Sequence, residues 1–224
     1  MSESVERDEE ATARMNTHRN WIPDSKHRLH LATALAFFLS GAAALMYQVA
    51  WQRVLFSVVG VDIESVTVVV SVFMLGLGLG GLLGGWVADR WPQRLLAAFC
   101  VSEALIAVYG WHSIELILSS ASLFDGLTRP ATAALCFVLL LPPTVAMGAT
   151  LPMLVAHAVR QGQGVGVSTG RLYFVNTLGA ALGALSVGTV LLFWFDLRQT
   201  TGMAAGLNAA SCLVLALFLR KSTP

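Results

Sequence analysis

The stretch Glu64–Arg94, ESVTVVVSVFMLGLGLGGLLGGWVADRWPQR, constrains this chain more than any other. No charge occurs from Ser65 to Ala88, and about 20 apolar residues in a helix suffice to cross a hydrocarbon core roughly 30 Å thick. The segment therefore reads as a membrane span. Its glycines fall at Gly76, Gly80 and Gly84, with a second ladder at Gly81 and Gly85. Four-residue spacing puts each ladder along one helical face, where a neighbouring helix can approach backbone to backbone. The span closes on Trp86, Asp89, Arg90, Trp91, Pro92 and Arg94. The rings suit the headgroup layer, the charges follow, and the proline stops the helix.

The rest of the chain agrees with an all-α integral membrane protein. Of 224 residues, 56% are hydrophobic and 12% charged, against about 25% charged in ordinary soluble domains. The net charge of +1 comes with no basic cluster interleaved with aromatics, so no nucleic-acid footprint is present. Cys100, Cys136 and Cys212 each sit in a different apolar run without CxxC or Cys/His ligand spacing, which reads as core thiols and no metal. The glycine-rich segment from Gly162 to Gly166 follows no predicted strand and Gly76 to Gly81 lies within a span, so neither is a phosphate cradle and no cofactor is expected.

Residues 1–28 are polar and mixed in charge, which predicts a disordered cytoplasmic tail that a partner can order, with Trp21-Ile22-Pro23 as its handle. Six spans are predicted within a membrane domain of 29–220, at about 30–50, 65–88, 95–117, 131–158, 171–195 and 201–219. A short cytoplasmic end, 221–224, follows. The tail, the loops at 88–94 and 159–171 and the C-terminus hold most of the Lys and Arg, whereas the alternate loops hold only Arg53, Arg129 and Arg198. Both termini are therefore expected in the cytoplasm. The fifth span repeats the small-residue spacing of the second through Gly179 and Gly183, as a three-plus-three inverted repeat would.

Glu103 is the only acid deep within a predicted span, nine positions after Arg94. That places it roughly 13 Å along the helix, near mid-bilayer. An ionised carboxyl is costly there, so it is either protonated or paired. Two readings stand: a functional group of a solute or ion pathway, or a neutral glutamic acid that ties helices together. The polar groups available to it are Tyr47, Gln48, Thr144, Thr150, Tyr173, Asn176 and Asn208, with Arg53 just past the first span. Pro142, Pro143 and Pro152 interrupt the fourth span around Gly148; the freed carbonyls would line a cavity or form a hinge, or the prolines give only a static kink.

Gly85-x-x-x-Asp89-Arg90 resembles the loop between helices 2 and 3 of major facilitator transporters. Together, FFLSGAAALMYQVAWQRVL, VFMLGLGLGGLLGGWVADR, SEALIAVYG, LLLPPTVAMGATLPMLV and GRLYFVNTLGAALGAL resemble the membrane domain of spermidine-synthase-like bacterial membrane proteins. The resemblance implies half a major facilitator bundle in the bacterial inner membrane, surrounded by lipid, preceding a soluble aminopropyltransferase-like domain. This chain ends at Pro224, before such a domain, and is expected not to be an enzyme. The family pattern also implies an acid after the tyrosine of the first block, where Gln48 stands. The expectation is a transporter-like half-bundle for a small cationic solute such as a polyamine, completed as a homodimer or with another subunit. The alternative is a non-catalytic scaffold that anchors a soluble enzyme or joins a larger membrane complex.

Overall fold

The computed structural model describes residues 25–60 and 62–222, and among them there is helix and no strand. Six helices are long and apolar enough to cross a membrane: α1 (Ser25–Val59), α2 (Asp62–Arg90), α3 (Leu95–Ser119), α4 (Arg129–Arg160), α5 (Val165–Ser186) and α6 (Leu197–Ser222). A π-helical turn, Val187–Leu191, and one further turn, Leu192–Trp194, prolong α5. Most of the predicted tail, including Trp21-Ile22-Pro23, lies outside the described residues, as do 223–224.

Two boundaries differ from expectation: α5 begins at Val165 and not near 171, and α1 ends late. α1 does not stop near residue 50 but runs to Val59, so Arg53 lies on the helix and not beyond it. The reason is continued burial, since Trp51, Val54 and Leu55 are all in the core. Gly60, at φ 78°, ends the helix with its N–H donated to Phe56 O at 2.9 Å, the left-handed terminus glycine tolerates best.

The predicted interruption of α4 does not occur either: helix continues through Pro142, Pro143 and Pro152. A proline removes the N–H that would bond the carbonyl four residues earlier, and membrane helices tolerate this when neighbours satisfy the freed group. Here Pro143 releases Leu139 O, and Tyr109 Oη on α3 donates to that carbonyl. Thr144 Oγ1 donates to Leu140 O at 3.0 Å and Leu141 O at 2.9 Å, tightening the same turn.

The closest helix pairs are α2 with α4 and α1 with α5, while α6 packs on both α1 and α3, and α3 also packs on α4. The glycines decide the first two pairs. A Cβ on Gly80 would collide with Val145 O, one on Gly84 with Ala149 O, and one on Gly148 with Leu77. Across α1 and α5, a Cβ on Gly179 would collide with Phe38 O, one on Gly183 with Ala42 O, and one on Gly41 with Asn176. The two interfaces share one register: Val145, Gly148 and Ala149 are spaced as Phe38, Gly41 and Ala42 are, and Leu77, Gly80 and Gly84 as Asn176, Gly179 and Gly183 are. Gly76 adds a contact with Thr144, whereas Gly81 and Gly85 face open space. Of the two ladders, only the first packs.

Two buried apolar clusters result. One, at the end carrying the termini, holds Phe37, Leu96, Phe99, Leu154, Leu172 and Leu215. The other fills the opposite half around Tyr47, Trp51, Val72, Phe73, Ile106 and Ile114.

Candidate functional site

Between the two clusters lies a polar layer centred on Glu103. Along α3 it falls between Phe99 and Ile106, along α1 Ser40 falls between Phe37 and Ala43, and along α6 Asn208 falls between Ala204 and Leu215. Glu103 is completely buried. Ser40 Oγ donates to Glu103 Oε1 at 2.5 Å, and Asn208 Nδ2 donates to Oε2 at 2.7 Å. Both carboxyl oxygens are thus met by neutral donors, and one acid joins three helices. An ionised carboxyl in a hydrocarbon-embedded bundle is costly unless positive charge accompanies it. With neutral partners alone, this group is suited to take a proton or a small cation.

Among the described residues, the buried side-chain polar atoms without a hydrogen-bond partner are Tyr47 Oη, Asn208 Oδ1 and Ser211 Oγ. Asn208 belongs to the layer itself, and Ser211 lies one helical turn beyond it on α6. Tyr47 lies two turns along α1 from Ser40, and its ring occupies the space that a side chain at Gly110 would take. Trp51 stacks on Tyr47 with ring centroids 5.3 Å apart, and packs at 5.9 Å against both Phe73 and Tyr109. Its Nε1–H donates to Ser113 Oγ at 2.8 Å, and Ser113 in turn donates to Gly110 O at 2.8 Å.

Of the polar groups read from the sequence as partners of Glu103, the structure brings Asn208 to it and Tyr47 near it. Thr144 and Thr150 donate instead to carbonyls of their own helix. Asn176 packs against Gly41 at the α1–α5 interface, Gln48 is half-buried on α1, and Tyr173 is exposed. Ser40 was not among the sequence candidates. Its partner is 63 residues away, and a lone serine in an apolar span carries little signal. Cys100 and Cys212, read as separate core thiols, meet: Cys212 Sγ donates to Cys100 O at 3.3 Å, one turn from the carboxyl.

Arg53 lines a cavity of about 640 Å³ at the end away from the termini, together with Ser57, Ile114, Leu192, Asp196 and Arg198. Arg198 pairs with Glu115 at 3.1 Å, an exposed pair of small energetic weight. At the other end, Asp89 and Arg90 are exposed, the Arg90 guanidinium lies 6.0 Å from the Trp91 ring centroid, and Trp91 meets Trp86 edge-on. No group of three or more metal-ligating side chains occurs among the described residues.

No family model matches the chain, and no solved structure matches it. It is distantly similar to two proteins of Streptomyces coelicolor, polyamine aminopropyltransferase 1 at 27% identity over 83% of this chain and polyamine aminopropyltransferase 2 at 28% over 90%. It is also similar to a polyamine aminopropyltransferase of Oceanobacillus iheyensis, at 23% identity over 73% of this chain. The chain spans only about a third of the length of these relatives: 33%, 38% and 31%.

Proposed function

We propose that this chain is a transporter-like half-bundle of the bacterial cytoplasmic membrane that handles a small cationic solute, a linear polyamine being the first choice. Glu103 is the group that takes the cation or the coupling proton. The observation that carries the reading is a completely buried carboxyl, held by Ser40 and Asn208, between two apolar clusters and without a fixed cation in its hydrogen bonds. The polyamine assignment draws on the names of the distant relatives. Polyamines are polycations, and a mid-membrane carboxylate is the natural counter-charge for one.

The architecture supports the same reading. The matched registers of α2 on α4 and α5 on α1 are what two inverted three-helix repeats would give, with α1–α3 exchanging for α4–α6. A solute site at the interface of such repeats sits near the bilayer midplane, the level that the nine-residue spacing from Arg94 gives Glu103. Arg90 and Arg94 between α2 and α3, with Arg160 and Arg171 at the facing ends of α4 and α5, orient both termini toward the cytoplasm, and a second copy or another subunit completes the pathway.

Cells that express the chain and accumulate a radiolabelled polyamine test this. Glu103→Gln keeps the size of the side chain and removes its charge, so uptake is expected to fall to the background of cells without the chain, at unchanged membrane abundance. Undiminished uptake in the variant would refute the assignment.

A second reading, a scaffold that anchors a soluble enzyme, is favoured by one observation. Gly81 and Gly85 leave an open small-residue face on α2, a surface suited to another membrane helix. A foreign subunit that co-purifies at fixed ratio, with no flux from the purified chain, would favour it.

A further inference from the structure

We propose that Glu103 exchanges its proton with the end of the bundle away from the termini, along a track past Tyr47 to a vestibule latched by the Trp51–Ser113 hydrogen bond. This rests on the reading of Glu103 as a group that loads and unloads. α1 and α3 run side by side in one register: Ser40 meets Glu103, Tyr47 meets Gly110, and Trp51 meets Ser113. Each successive pair lies one to two helical turns further from the carboxyl. Beyond the last pair opens the cavity of about 640 Å³ that Arg53, Val54, Ser57 and Ile114 line. Ile114 follows Ser113 in the chain and Arg53 follows Trp51 by two, so the latch lies within one helical turn of the residues that line the cavity.

Tyr47 Oη supplies the step between carboxyl and latch. It is fully buried and has no hydrogen-bond partner, a costly arrangement that a bridging water relieves. In the loaded state the carboxyl O–H bond breaks toward that water. The water passes a proton to Tyr47 Oη, whose own proton goes to a water that enters from the vestibule when the latch opens, and the carboxylate stays on the Ser40 and Asn208 donors. In the other direction the apolar side chains of Phe37, Phe99, Leu154, Leu172 and Leu215 back the layer, with Ser211 Oγ, Cys100 and Cys212 about one turn beyond it on that side.

The titratable side chains around Glu103 are Tyr47 on α1, Cys100 on α3 itself and Cys212 on α6. α4 contributes none to the hydrogen bonds of the layer. The charged side chains described on this route are those in and beside the vestibule, where Arg53 and Arg198 are balanced by Asp196 and by Glu115, the partner of Arg198. The entrance therefore sets up no strong field against a proton.

Infrared spectroscopy of the full chain in lipid reads this directly, by following the exchange of the Glu103 carboxyl in heavy water, identified as the band missing from Glu103→Gln. Ser113→Ala and Trp51→Phe each remove one half of the latch and keep most of the packing, and are expected to speed exchange about tenfold, a barrier change of about 1.4 kcal/mol. Tyr47→Phe is expected to slow it by a similar factor. Equal exchange in all three variants, or acceleration only when Leu215→Ser opens the opposite cluster, would overturn the route. Polyamine uptake by the same vesicles separates the two ideas: uptake that depends on Glu103 while exchange ignores the latch defeats the route alone. A chain with no Glu103-dependent band defeats the proton itself.

Discussion

At the residue scale, Glu103 and the glycines show how one side chain, or its absence, decides the bundle. Gly84 and Gly85 are neighbours in the same helix, but a Cβ at Gly84 would strike Ala149 O whereas one at Gly85 meets nothing. Gly84→Ala is therefore expected to destabilise the purified protein by about 1–3 kcal/mol, the usual cost of overpacking. Gly85→Ala should leave it unchanged or gain up to about 1 kcal/mol from helix propensity. Thermal unfolding in detergent, followed by tryptophan fluorescence, compares the two. The spacing of the glycines was readable in the sequence, but which ladder packs was not, because both satisfy the four-residue rule and only the partner helix distinguishes them. Glu103 was legible for the opposite reason: an acid in an apolar run stands out whatever surrounds it. Ser40 did not, since a hydroxyl is cheap in a helix until a distant chain segment brings it a carboxyl.

At the element scale, α4 keeps its helix through three prolines, and at one of them α3 repairs the damage. Leu139 O, freed by Pro143, accepts from Tyr109 Oη. Tyr109→Phe should therefore cost about 1 kcal/mol or more, the range for a buried carbonyl left without its partner. In a Pro143→Ala background the restored N–H makes the same hydrogen bond within α4, and the Tyr109→Phe penalty should largely vanish. A double-mutant cycle on unfolding free energy measures that coupling. A cost that is equal in both backgrounds would mean the hydroxyl does not compensate for the proline. The expectation of a broken fourth helix failed at this scale: proline's effect depends on what a neighbouring helix offers. The predicted end of α1 failed similarly, because Trp51, Val54 and Leu55 find a core to enter.

At the scale of the whole molecule, six spans were legible from hydropathy, and six helices long and apolar enough to cross a membrane occur, with the end of the first and the start of the fifth misplaced. The arrangement of the spans was not. Pairing α2 with α4 and α1 with α5 depends on surfaces that meet only in three dimensions, and the common register of the two interfaces emerges only there. If that register reflects an inverted repeat, equivalent positions should behave alike. Gly41→Leu and Gly148→Leu, each facing the second helix of the other half, should lower stability to a similar extent.

Transport by the bundle is tested most directly by flux of a radiolabelled polyamine into proteoliposomes that contain this purified chain and nothing else. Saturable uptake that collapses in Glu103→Gln vesicles, at equal reconstitution, is predicted. Vesicles no more permeable than empty liposomes would contradict a pathway completed by a second copy of this chain, and flux identical in the two proteins would contradict a transporter centred on Glu103.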